Sequence, residues 1–481
     1  MSEGKKFDNG KRLQPKGSSG ETQPRKVTFL QSEVPQFPLV SLFAGAGGLD
    51  VGLETAGFTT VFATDLESHC CETLRANQQL GELSPAEFDW WFKEQINRQR
   101  CYKNNSPEEI ERTRVRVKQG LTHQLLREAS IVEGDIRQIP SDQILRRVGF
   151  RSKDVFLVAG GPPCQPFSRA GKRETVAAED GKLFLEFVRV VRDLRPRWFL
   201  FENVKGLLFA KTEVVRLHCS VCRAKWLPPF SYRNGEIEGM SCSCGSKRFG
   251  VQHCLERGGS LDLILSEFER QGYRCSWRVL NAADFGAPQL RERLFIVGTR
   301  DNEKFIWPEP HFGTNSANGE KAQLDLFAAQ VRPWRTLLET LWPNGHPKYG
   351  NLDPEQAVLW VKNVVRPHAE PVTWRLDRPC PTVGAHQAAK FALAPYGVPE
   401  SQLRRQQWHT KGQRQGDLPP VPVEHHYLSD SELLLLQTFP EGWYLHGTRM
   451  QRAFQIGNAV PSVLGQSMGL AILAASGCRQ P

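Results

Sequence analysis

Short apolar runs alternate with amphipathic stretches through most of residues 38–300, and that alternation predicts strands exchanging with helices. Leu39-Val40-Ser41-Leu42-Phe43 reads as a strand. It is followed by the bare turn Ala44-Gly45-Ala46-Gly47-Gly48 and a helix through Leu49 and Leu53 that closes at Gly57, glycine being favoured just past a helix end. Val61-Phe62-Ala63-Thr64 is the next strand, tipped by Asp65, and Ile131-Val132-Glu133 another, with Asp135 just beyond. Residues 155–159 are apolar or small at every position, as a strand covered on both faces must be. Leu183–Leu194 carries a helical period, and Trp198-Phe199-Leu200-Phe201 is a strand leading into Glu202-Asn203-Val204. Residues 273–280 and 294–298 form a last pair of strands around Gln289-Leu290-Arg291-Glu292-Arg293. The pattern predicts an α/β fold with a doubly wound, mostly parallel sheet.

Other stretches break the alternation. Residues 78–130 hold an inserted pair of helices that start at Ser84-Pro85 and Ser106-Pro107, serine capping and proline taking the first helical position. Residues 301–446 are rich in Pro, Trp and His with little period and read as a second, smaller domain. Near its end Ser429-Asp430-Ser431-Glu432 is a capping box opening an apolar helix. Residues 447–481 return to the first domain, with Gln455-Ile456-Gly457-Asn458-Ala459-Val460-Pro461 leading into a final helix over 462–476. Residues 1–36 are polar and basic and read as a disordered tail. The organisation is thus a tail (1–36), a catalytic domain (37–300), a small domain (301–446) and a returning segment (447–481).

Composition narrows the partners. The 481 residues carry 62 Lys and Arg against 52 Asp and Glu, a formal charge of +10, which favours a polyanion. No apolar run of membrane-spanning length and no secretory signal is expected. Twelve cysteines without a signal point to a reducing compartment and to thiol or metal chemistry. The expected setting is cytoplasmic.

Candidate chemistry gathers at the predicted strand ends. Gly160-Gly161-Pro162-Pro163 forces a rigid corner after one strand and presents Cys164, where open α/β sheets bind ligands. The alternative is an inert buried thiol. The order strand, glycine turn, helix, strand, acid is how α/β proteins hold an adenosine. Asp50 stands where the third glycine of the dinucleotide fingerprint belongs, so a nucleoside without pyrophosphate fits better. Residues 168–181 read as a mobile lid. In the insert at 210–257, Cys219-Ser220-Val221-Cys222 and Cys242-Ser243-Cys244 resemble a zinc ribbon with four sulfur ligands, although C-x-C is tighter than C-x-x-C and His218, His253 or Cys254 could replace a member.

With these pieces placed, the chain resembles the DNA (cytosine-5) methyltransferases of the bacterial restriction-modification type. The resemblance rests on FAGAGG, Asp65, Asp135, PPCQPFS, ENV, QLRER, RPCPTV and QIGNAVP, in the family's order over nearly the whole chain. It implies the S-adenosylmethionine-dependent methyltransferase fold, with the smaller domain recognising the DNA target. It also implies methyl transfer to carbon 5 of a cytosine flipped out of a duplex. Cys164 would be the nucleophile and Glu202 the protonated acid at ring nitrogen 3. Arg293 and Arg291 would hold the base carbonyl and nearby phosphate, and Asn203 would orient the loop. For the cofactor, the resemblance implies Phe43 for adenine stacking and Gly45, Gly47 and Gly48 for the turn. Asp65 would meet the ribose, Asp135 with Ile136 the adenine, and Leu66, Pro163 and Asn458 would complete the site. Ser168 and Arg169 would fill the gap left by the flipped base. Arg332, Arg335, Arg404, Arg405 and Lys411 are available to DNA. The partners implied are double-stranded DNA and, functionally, a cognate restriction endonuclease, for a monomer associated with the nucleoid. Competing readings are a tRNA cytosine-5 methyltransferase and an inactive DNA-binding homologue.

Overall fold

The computed structural model describes residues 36–98, 107–163, 183–228, 240–314, 331–343, 352–361, 372–385, 391–396 and 426–478. Its centre is a seven-stranded sheet built from β1 (Pro38–Leu42), β2 (Thr59–Asp65), β3 (Ser130–Glu133), β4 (Leu157–Gly160), β5 (Trp198–Val204), β9 (Arg274–Asn281) and β10 (Glu292–Thr299). The order is β3-β2-β1-β4-β5-β10-β9. The first five strands are parallel, and β10 runs antiparallel to both β5 and β9. Strand order reverses between β1 and β4, so the carboxyl ends of those strands open the crevice in which such sheets bind ligands.

The central strands are buried on both faces: every residue of β1 and β4 is buried, and so is Trp198 through Asn203 of β5. Helices α1 (Gly48–Thr55) and Ser462–Ala475 cover one face. Helices α5 (Ser141–Val148), α6 (Leu183–Leu194) and α7 (Gly259–Arg270) cover the other. Between them in the chain lie α2 (Ser68–Leu80), α3 (Pro85–Arg98) and α4 (Pro107–Val117), the last two beginning at the predicted prolines. Their apolar side chains Phe88, Trp91 and Val117 pack on Tyr444, which fastens the insert to the chain's far end.

Several expectations are corrected. The strand expected over 155–159 forms at Leu157–Gly160. The segment Gln455–Asn458 is the end of a helix, Arg449–Asn458, rather than a lead-in. Residues Arg449–Ala475 are long and apolar enough to cross a membrane by length and composition, against the expectation of no such run. The most apolar window is 72% buried inside the protein, and Ala459-Val460-Pro461 divides the stretch into two helices. The aperiodic region yields a four-stranded sheet, Val372–Arg375, Ala357–Val361, Phe391–Pro395 and His426–Tyr427 in spatial order.

Helix α1 and Ser462–Ala475 touch backbone to backbone. A Cβ on Gly52 would lie 2.1 Å from the carbonyl oxygen of Ser462 and 2.8 Å from Cα of Gly465. Overpacking of this kind costs about 1–3 kcal/mol. Gly52→Ala should lower the stability of the protein by at least that range in urea unfolding; an unchanged midpoint would contradict this packing.

Candidate active site

Two clusters line the carboxyl edge of the parallel strands. The first surrounds the glycine turn. Phe43 leaves β1 with φ of 56°, a costly left-handed conformation for an aromatic residue, and half-buries its ring against the apolar core. Gly45 follows at φ 57°, and its N–H donates to Asp65 Oδ2 over 2.8 Å. Asp65 Oδ1 accepts from the N–H of Glu67 at 2.9 Å. Burial raises the pKa of Asp65, while these two N–H groups oppose the rise. A Cβ on Gly45 would meet nothing within 4 Å, so the turn has an open side, whereas one on Gly48 would lie 2.3 Å from Val460 O. The turn is therefore bare toward a ligand and closed beneath by the returning segment. Asn458 is exposed two residues from that contact.

At the neighbouring strand ends, Leu66 is 62% exposed and Ile136 is buried. Asp135 caps the short 3-10 turn Ile136–Gln138. Its carboxylate is engaged by Arg137 at 2.7 Å, and this hydrogen-bonded guanidinium holds its pKa below the usual value. Asp135 was expected to face an adenine amino group; Arg137 is a partner that the sequence did not suggest.

The second cluster lies one strand across. β4 and β5 pair with Gly160 opposite Phe201, so Gly161-Pro162-Pro163 and Glu202-Asn203 leave the sheet side by side. Pro163 is exposed. Cys164 itself, with Ser168, Arg169 and the predicted lid, lies outside the described residues, as do residues 1–35, Arg404, Arg405 and Lys411. Arg332 and Arg335 are exposed. Asn203 is buried, donates from Nδ2 to Pro162 O at 3.2 Å, and accepts from Val204 N–H at 2.9 Å. It thus ties the glutamate strand to the corner before Cys164. Glu202 is also buried, with Oε1 2.9 Å from Arg293 Nε. Burial raises its pKa, against the lowering influence of the Arg293 and Arg291 cations. The other oxygen, Oε2, occupies the space beside Gly161, where a Cβ would come within 2.4 Å of it. Gly161 is a site residue that motif reading passes over: it is glycine because the carboxyl group needs its room.

Arg291 departs from expectation. It is wholly buried rather than facing a base or phosphate. Its Nη1 donates to Val383 O and its Nη2 to Gly457 O, each over 2.8 Å. Gln289 adds a second tie, accepting from Val383 N–H at 2.9 Å and donating to Leu436 O at 3.1 Å. One buried network therefore joins the strand bearing Arg293, the RPCPTV segment and the helix ending at Asn458. The alternating QLRER pattern marked the region but could not say which arginine turns inward.

Away from this edge, the sulfurs of Cys219, Cys222, Cys242 and Cys244 all lie within 4.8 Å of one another. Cys219 is 3.7 Å from Cys244 and Cys222 is 3.4 Å from Cys242. Two backbone N–H groups, of Val221 and Cys222, point at Cys219 Sγ. The cluster includes neither His218 nor His253 nor Cys254, whose thiol donates instead to Glu256 at 3.1 Å.

The edge thus carries a glycine turn closed by Asp65 and, one strand across, a corner beside the buried Glu202–Arg293 pair. The family model for C-5 cytosine-specific DNA methylases matches residues 37–93, 122–219 and 254–474, and the chain belongs to that family. It is a DNA (cytosine-5) methyltransferase that uses S-adenosylmethionine. Among its relatives, Type II methyltransferase M.AquIA of Picosynechococcus is 30% identical over 63% of this chain and 87% of that protein. M1.HphI of Haemophilus parahaemolyticus is 26% identical over 90% of this chain and 86% of its own. A solved structure of a Spodoptera frugiperda DNMT2 mutant is 14% identical with a TM-score of 0.46, over 91% of this chain and all of that one.

Removing the Arg291 guanidinium leaves two buried carbonyls without donors, each worth about 1–3 kcal/mol. Arg291→Met should cost about 2–5 kcal/mol of stability in urea unfolding. A loss below 1 kcal/mol would remove the buried tie from the account.

Proposed function

We propose that this enzyme methylates one cytosine within a specific duplex sequence, with Cys164 as nucleophile and Glu202 as the acid that activates the ring. What carries the reading is the buried Glu202–Arg293 pair at the end of β5, beside the corner that leads to Cys164 and fastened to it through Asn203. Carbon 5 of cytosine is a weak nucleophile. Addition of the Cys164 thiolate at carbon 6 converts the ring to an enamine, and the negative charge flows toward nitrogen 3 and the carbonyl oxygen. Glu202 meets that charge with a proton at nitrogen 3, and Arg293 binds the oxygen. Bound at this edge, S-adenosylmethionine would supply an electrophilic sulfonium methyl group for carbon 5, with the neutral thioether as leaving group. Loss of the carbon 5 proton to a base, with water the simplest candidate, expels the thiolate; nitrogen 3 returns its proton to Glu202, and the ring is restored. The base has to leave the duplex to reach this edge. Asp65 is suited to the ribose hydroxyls, Gly45, Gly47 and Gly48 to close approach, and Asn458 with Pro163 to the far side of the cofactor.

Burial assists this chemistry, because a carboxyl group shielded from water keeps its proton to higher pH. The sign is definite: Glu202 has a raised pKa, and the protonated fraction falls as pH rises through it. Turnover should decline on that alkaline limb. Glu202→Gln, unable to exchange a proton with the ring, should flatten the limb and lower kcat by about 100-fold or more. A variant with the wild-type pH profile would remove Glu202 from the role.

The variable segment 301–446 serves target recognition, and the modified sequence protects host DNA from a cognate endonuclease. The protein acts as a monomer at the nucleoid. The four clustered cysteines hold a structural zinc ion: among the described residues the cluster offers four sulfurs and no other ligand, a structural donor set. Bisulfite sequencing of DNA from a host expressing the chain tests the main reading. It should show one methylated cytosine in one recurring sequence. Cys164→Ala should abolish the signal while retaining duplex binding; methylation by that variant would overturn the assignment.

A further inference from the structure

The stretch 220–253 falls between the segments matched by the family model. Its described residues form, with their flanks, a three-stranded ribbon: β6 (Lys211–Cys219), β7 (Lys225–Trp226) and β8 (Phe249–Arg257), in the order β7-β6-β8. Four exposed cations, Arg223, Lys225, Lys247 and Arg248, lie within a few residues of the cysteines in sequence and give the head the composition of a phosphate binder. Its position in the fold argues otherwise.

The ribbon leaves and re-enters at one point, because Gly258 N–H donates to Ala210 O at 3.0 Å. That point is the carboxyl edge of β5, just past Glu202-Asn203-Val204. From there α7 descends the sheet, since it must deliver the chain to the start of β9, which runs in the direction of β5. The lower end is fixed by Tyr273, whose hydroxyl donates to Pro196 O at 2.7 Å, ahead of β5. The ribbon travels down with the helix. At the top, the hydroxyls of Thr212 and Ser260 are hydrogen-bonded, and Arg216 pairs with Asp262 at 3.2 Å. At the bottom, Arg270, the last residue of α7, donates to Leu227 O just beyond β7. The cysteines stand at that lower end. They are separated from the Glu202 pocket by the length of β5, about 20 Å for seven residues.

The inner face of the ribbon belongs to the main core. Val214, Ala210 and partly buried Leu227 pack in the cluster that contains Phe199, Phe201 and Phe268. The outer face exposes Val251, His253 and Leu255. Among the described residues of the head, 219–228 and 240–248, only Cys219, Pro228 and Cys242 are buried, and the apolar support beneath the two cysteine turns is Leu217 with the edge-on pair Trp226 and Phe249.

From this placement we infer that the ribbon is a metal-fastened brace. Metal at its far end locks β6–β8 along α7, and α7 in turn holds the strand end that presents Glu202. The head takes no part in binding the duplex at the opposite edge. This rests on the zinc assignment made above, and the two can fail separately.

The full-length protein, freshly purified, is first assayed for zinc by mass spectrometry, with about one ion per chain expected. No bound metal would overturn the zinc assignment and the brace together. Metal is then withdrawn with 1,10-phenanthroline while hydrogen exchange is followed. Protection should fall across β6, β8 and α7 and remain unchanged across β1 to β3. Metal loss that leaves α7 as protected as before would overturn the brace while keeping the zinc. A metal-replete triple variant, Arg223→Ala, Lys247→Ala and Arg248→Ala, tests the DNA alternative. Its affinity for cognate duplex and the salt dependence of that affinity should match wild type within twofold. A tenfold loss, with the salt slope reduced by about 0.9 for each phosphate contact removed, would make the head a DNA-binding element and overturn the inference.

Discussion

A carboxyl group taken out of water and set against a guanidinium is the constraint on which this molecule turns. Glu202 sits at the end of β5 with Arg293 on one oxygen and the emptied side of Gly161 at the other. Desolvation favours the neutral acid and two nearby cations favour the anion, and burial prevails. In the mechanism proposed, a surface glutamate, ionised at neutral pH, would have no proton to offer a ring nitrogen. Keeping it buried requires the core strands, their covering helices and a corner that leaves room for it. The fold is in this sense a means of holding one acid dry at a sheet edge.

The same edge receives parts from distant portions of the chain. The glycine turn near residue 45 is closed beneath by Val460, and Arg291 draws together segments around 383 and 457. Carbonyl oxygens at two segment ends need donors, and the planar guanidinium of Arg291 serves both. Contacts of this length in sequence tie the segments around 383 and 457 to the strand that bears Arg293, and the glycine turn to Val460.

Much of this was legible in the residues. Strand runs buried on both faces, glycine turns and terminal acids have local signatures, so the sheet, its helices and the edge positions of Glu202, Asp65 and Asp135 follow from short windows. The capping box at Ser429 and the prolines at 85 and 107 are equally local, and the structure has helices beginning there. What escaped depends on partners far away in sequence. Nothing near Arg291 tells that it turns inward while Arg293 turns to Glu202. Asp135 gave no sign of its pairing with Arg137, because an acid two residues before an arginine is equally at home unpaired. The four-stranded sheet over 357–427 escaped because its strands are short and lie far apart in sequence. In sequence the ribbon shows its paired cysteines but not its strands, whose exposed outer face alternates too weakly to announce them.

The central claim concerns one ring gripped from two strand ends, and a trapped intermediate tests it most directly. A duplex carrying 5-fluorocytosine at the target position has fluorine where the leaving proton should be, so elimination cannot follow methyl transfer. With S-adenosylmethionine present, the account predicts a stable protein–DNA adduct, mapped by peptide mass spectrometry to Cys164. It further predicts that Glu202→Gln will form that adduct far more slowly. An adduct at another residue, or none formed while ordinary duplex is methylated at carbon 5, would contradict it.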